Sequence, residues 1–136
     1  MLRRVHLVVG ILAVLTFLLS GQIMSHHHPP MQDLSAELQL MYLSRHIHVL
    51  LGALVNTVLG LYLHMQQSTW RRYLQIAGSL LVLASAVLLP LAFLVEPPLG
   101  FAGRGWRSGV GLIALFAGVM THLAAAIGAS RIDTTS

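Results

Sequence analysis

Ser44-Arg45-His46-Ile47-His48-Val49-Leu50-Leu51-Gly52-Ala53-Leu54-Val55-Asn56-Thr57-Val58-Leu59-Gly60-Leu61-Tyr62-Leu63-His64 is the stretch whose reading decides the fold. It is apolar enough to cross a bilayer, yet Arg45, His46 and His48 stand at one end and His64 at the other. Asn56, near its middle, carries an amide that needs a partner. A membrane helix keeps such groups only where packing, water or a ligand meets their polar demand, which makes them candidates for function.

Composition agrees with a membrane segment of this kind. The chain has 136 residues, of which 56% are hydrophobic and only 9% charged. Its mean hydropathy is +0.77. Soluble domains devote about a quarter of their residues to charge, so this chain belongs to the membrane class and is too short for two domains. The formal net charge is +4, and every basic residue is Arg. These Arg are scattered at helix ends instead of clustered, which fits headgroup anchoring and excludes a nucleic-acid surface. No Cys is present, so disulfides, thiolate metal sites and covalent haem attachment are excluded.

Three further apolar runs flank the central one. Residues 5–24 follow Arg3 and Arg4, the outline also of a signal peptide. The run is long for a signal sequence, and no clean small-x-small site closes it, so a retained helix is expected. His26-His27-His28-Pro29-Pro30-Met31 then stops any helix, and Asp33 is placed to cap the next. Leu34, Leu38, Met41 and Tyr42 recur at helical spacing in an outer loop, 25–42, and lead into helix two at 43–65. Trp70-Arg71-Arg72-Tyr73 has the composition of a membrane-water boundary. Helix three is expected at 74–95, with Pro90 as a kink, and helix four at 108–129, after an outer loop at 96–107.

The fold class is therefore an all-α bundle of four transmembrane helices forming a single membrane domain. Arg3, Arg4, Arg71, Arg72 and Arg131 fall on one side, and Arg45, Arg104 and Arg107 on the other. The positive-inside rule then makes both termini cytoplasmic and predicts a multi-pass protein of a bacterial inner (plasma) membrane.

At 100° per residue His46 and His64 share a face with Ala53, Thr57 and Gly60, while His48 points almost the opposite way. On helix four Gly111, Gly118, His122 and Ala125 align, and on helix one His6, Gly10, Ala13 and Ser20. Small residues on these lines suit close helix packing. Glu96 is placed to pair with Arg45 or Arg104, so Asn56, Glu96 and Arg104 are expected to be structural polar groups. His26, His27, His28 and Met31 could hold copper or zinc loosely.

The pattern His46-x-His48-Val49-x-x-Gly52, followed by Gly60-Leu61-Tyr62, resembles the second-helix stretch of small four-helix membrane proteins related to haem-copper oxidase subunit I. The resemblance covers residues 46–62 and implies a haem b ligand at His46, with Arg45 beside a propionate. The oxidase copper cluster has no counterpart in this chain. His64 and His122 are secondary haem candidates, separated in depth by roughly 10 Å at 1.5 Å per residue.

Three functions stay open: an accessory or assembly subunit of a membrane complex, respiratory or redox in kind; a haem b electron carrier using His46; and metal handling by the His-rich loop. The lipid bilayer is the obligatory partner, and other membrane subunits or a second copy the expected protein partners. A small multidrug exporter should bury a carboxylate in mid-membrane, but Asp33, Glu37, Glu96 and Asp133 all lie outside the spans. No nucleophile-base pair or phosphate loop appears, so an enzyme is not expected.

Overall fold

The structure, a computed structural model, describes residues 1–96 and 105–127. Those residues form four α-helices: α1 (Leu2–Ser25), α2 (Ala36–Tyr62), α3 (Thr69–Val95) and α4 (Trp106–Ile127). Each is long and apolar enough to span a membrane, so the all-α, four-span architecture stands. Most of the glycine-rich loop, with Arg104, and the tail containing Arg131 and Asp133 lie outside the described residues.

The helices alternate in direction. Below, the end of the bundle where α1 and α3 begin is called proximal, and the other end distal. α1 lies along α2 and α3 along α4 as two close hairpins, with α2 and α3 joining them. Glycine sets the closeness of both hairpins. A Cβ on Gly60 would fall 2.5 Å from the Leu7 backbone, and one on Gly118 would fall 2.7 Å from the Gly78 carbonyl oxygen. Without much hydrophobic drive between helices in lipid, such backbone approach is the main route to dispersion contact.

Val49, Val82, Leu89, Phe93 and Leu115 make the apolar core. Outward faces carry Val8, Leu12, Leu54, Leu80 and Ile113, all more than half exposed in the isolated chain. In lipid that exposure costs nothing, because acyl tails are as apolar as these side chains.

Helix two starts earlier and ends earlier than the hydropathy pattern indicates. Asp33 does not cap it. Its amide closes a short 3-10 turn, Met31–Asp33, onto the Pro30 carbonyl at 2.9 Å, leaving Leu34 and Ser35 outside the helix. Ser35 is the cap instead, its side chain accepting from the Leu38 amide at 3.4 Å. Residues 36–42, read from sequence as part of an outer loop, are therefore helical. At the other end Gln75 of α3 intervenes. Its Oε1 accepts from the Gln66 amide at 2.8 Å, and its Nε2 donates to the His64 carbonyl at 3.0 Å. These bonds hold the chain extended beyond Leu63, so His64 leaves the helix and the face it was expected to share with His46. α3 begins at Thr69, five residues before its apolar run, and continues through Pro90 to Val95.

Candidate functional site

Two groups of polar side chains stand at opposite ends of the spans. The distal group is organised by Glu96, the residue after α3. Its Oε1 accepts from the backbone amide of Arg107 at 2.6 Å and that of Ser108 at 3.3 Å, and the Ser108 hydroxyl donates to Oε2. Glu96 thus supplies the acceptors that the first turn of α4 lacks, and its charge suits the positive end of that helix. Arg45 of α2 completes the group: Nη1 donates to the Glu96 carbonyl at 2.8 Å and Nη2 lies 3.4 Å from Oε2. Both side chains are buried, at 6% and 3% exposure. Burial alone would push the Glu96 carboxyl up; the bonds from Ser108 and Arg107 and the Arg45 charge outweigh it and hold the group below its ordinary value. A Cβ at Gly105 would run into this carboxylate, so only glycine fits there.

His46 belongs to a different contact. Ser20 of α1 donates its hydroxyl to the Phe17 carbonyl at 2.8 Å, so its oxygen accepts from His46 Nδ1, also at 2.8 Å. The ring stacks on Phe17 with centroids 4.0 Å apart and rests against Gly21. His46 therefore serves α1 while its neighbour Arg45 serves α3 and α4. The two side chains expected to share one haem make their contacts with different helices. His48 is half-buried with Nδ1 enclosed and unpartnered.

The proximal group takes one residue from each helix. His6 of α1 is fully buried, and its Nδ1 lies 2.8 Å from Asn56 Oδ1 on α2. Asn56 in turn donates Nδ2 to the Gly52 carbonyl at 2.9 Å. That bond fixes the amide, leaving Oδ1 as an acceptor, so His6 must carry its proton on Nδ1. The lone pair then sits on Nε2, which is enclosed and has no partner. On the other hairpin His122 Nε2 of α4 lies 3.2 Å from the Ser79 hydroxyl of α3. His6 and Asn56 thus tie α1 to α2, and Ser79 and His122 tie α3 to α4.

Sequence reasoning placed His6 and His122 on inward faces but sought the partner of His122 in His64. His64 instead lies exposed in the connection after α2, its Nδ1 donating to the Tyr62 carbonyl at 2.8 Å.

In the loop, His26 Nδ1 lies 3.0 Å from the Gln22 carbonyl, and His27 Nδ1 donates to the Pro29 carbonyl at 2.8 Å. His27 also meets the edge of Tyr42. These bonds point the rings at their own backbone. Among the described residues no three His, Asp or Glu side chains gather closely enough to hold a metal ion.

Comparison with family models, curated proteins and solved structures found no match to this chain.

Proposed function

We propose that this four-span membrane protein is an accessory or assembly subunit of a larger membrane complex, a helical scaffold without chemistry of its own at the distal end. One observation carries the reading. Three distal ionisable groups named from the sequence as sites, Arg45, His46 and Glu96, are engaged in bonds that link the protein's own helices. Ties of this kind fix helix positions, and they leave the outward faces almost wholly apolar for lipid or for neighbouring transmembrane helices.

The proximal end carries Arg3, Arg4, Arg71 and Arg72, while Arg45 and Arg107 sit distally among the described residues. That bias supports a cytoplasmic proximal end and, in a bacterium, residence in the inner membrane. The oxidase-like pattern at 46–62 makes respiratory assemblies the first complexes to examine.

The test uses a photo-crosslinking residue at Leu80 or Ile113, both outward-facing, in the native membrane. Expected are crosslinks to a defined membrane subunit at one face only, and loss of that complex's native-gel band when the gene is deleted. Crosslinks to lipid alone from both faces, with every complex intact in the deletion strain, would overturn the proposal.

A further inference from the structure

We infer that the outward face of α1 at the proximal end docks one anionic phospholipid, its phosphate on Arg4 and an acyl chain over Val5, Val8 and Val9. Nothing in this inference depends on the accessory-subunit reading.

A groove of about 280 Å3 runs along this face, lined by Arg4, Val5, Val8 and Val9. That is far more than the roughly 30 Å3 of a water. Val5, Val8 and Val9 follow one another at helical spacing, so they share a face. The buried line His6-Gly10-Ala13-Ser20 occupies another side of α1, and Val8 is left 56% exposed. A β-branched side chain on a helix keeps one χ1 rotamer, so the floor of the groove has a fixed shape. A lipid chain laid on it costs little side-chain order.

The mouth of the groove is cationic. Arg3 and Arg4 stand 100° apart on the helix and diverge. Arg3 Nε donates to the Gly60 carbonyl of α2 at 3.1 Å, which ties it to the hairpin. Arg4 is exposed, and among the described residues its guanidinium has no hydrogen bond or ion pair. An Arg at a helix end lays its stem on apolar surface and lifts its head to headgroup level. There its planar fork matches two phosphate oxygens.

Charge and depth select the occupant. Asp33 precedes α2, Glu37 is in its first turn and Glu96 follows α3, so the acids among the described residues are all distal. A second copy in the same membrane orientation would therefore bring Arg4 no carboxylate from these residues. A soluble acidic protein could meet the guanidinium but not the valines: Val9 is seven residues into α1, about 10 Å along its axis at 1.5 Å per residue. A phospholipid carries phosphate and chain on one molecule, in the order in which Arg4 and the valines succeed each other. Net negative charge adds about fivefold in affinity per Arg at the membrane surface, which favours an anionic lipid over a zwitterionic one.

The test titrates the full chain in mild detergent with phosphatidylglycerol or with phosphatidylcholine of the same chains, counting bound lipid by native mass spectrometry. One phosphatidylglycerol per chain is expected, retained about fivefold better than phosphatidylcholine. Arg4→Gln should erase that preference. Arg72→Gln, at an exposed Arg of the same end but on α3, should keep it. Val8→Trp fills the groove without touching the charge and should lower retention of both lipids about threefold. Circular dichroism verifies that the helices persist; where one α1 variant fails that check, the other decides. Equal retention of the two lipids by the parent, the same loss of preference in Arg72→Gln as in Arg4→Gln, or unchanged retention in Val8→Trp would each overturn the site. Displacement of the lipid by polyglutamate or by glycerophosphate would also overturn it, and would assign Arg4 to a soluble acidic partner.

Discussion

The two polar groups of this bundle use similar residues to different ends. In the distal group, Glu96 has an identified donor on each oxygen and the Arg45 guanidinium spans its carboxylate and carbonyl. In the proximal group, His6 is equally buried, but one of its two nitrogens has no partner. A satisfied polar cluster rigidifies, since each member loses a bond if any helix moves. An unsatisfied one carries the cost of the missing bond and ties its helices less firmly. Burial and ionisability alone, which the two groups share, do not set how firmly a group ties its helices; the count of satisfied atoms does.

Breaking the distal group should have the largest effect. Glu96→Ala leaves the Arg45 guanidinium buried without its carboxylate and the first amides of α4 without their acceptor. The expected loss is about 3–5 kcal/mol. It is read as thermal stability in detergent, and a cycle with Arg45→Ala should show coupling above about 1 kcal/mol. Strict additivity would mean the two residues do not act as a unit.

The hairpin contacts come next. Gly118→Val places methyls against the Val82 side chain and the Gly78 carbonyl and should cost about 1–3 kcal/mol. Gly109, on the same helix with nothing within 4 Å of its would-be Cβ, gives the control. Gly109→Val should stay within about 0.5 kcal/mol of the parent. Equal losses at both positions would contradict the packing described for α3 and α4.

At the proximal group, Asn56→Leu removes the acceptor from His6 Nδ1 and leaves both ring nitrogens unpartnered. About 1–3 kcal/mol of destabilisation is expected, read as thermal stability in detergent. A variant as stable as the parent would show that His6 is not held as described.

The smallest effect is one of pH. Because the folded-state value of Glu96 lies below its unfolded value, its contribution is complete above the unfolded value, about 4.3. It is lost as pH falls through the lower folded one. The melting temperature of the parent should therefore drop on acidification below about pH 4, and Glu96→Gln should lack that component. A drop of the same size in both would assign it to other acids.

Much of the architecture was legible in the chain, and particular residues show why. The four apolar runs mark the spans because the bilayer core imposes one length and one composition on anything that crosses it. The inward line of α1, His6-Gly10-Ala13-Ser20, follows from helical periodicity and matches the buried residues of that helix. Helix ends were less legible. Ser35 and not Asp33 caps α2, because the 3-10 turn takes up Asp33, and Gln75 draws His64 out of the helix from eleven residues along the chain.

By itself, then, the sequence determined the number of helices, their membrane-spanning character and the faces that turn inward. These are properties of single segments, dictated by hydropathy and a 3.6-residue period. Which inward residues meet was decided only by tertiary structure. His6 finds Asn56, His122 finds Ser79, His46 finds Ser20, and Arg45 finds Glu96 across 51 residues of chain. Each meeting depends on the relative depth, rotation and separation of two helices, and glycine contacts such as Gly60 on Leu7 and Gly118 on Gly78 set these jointly. No one helix encodes that arrangement in its own pattern.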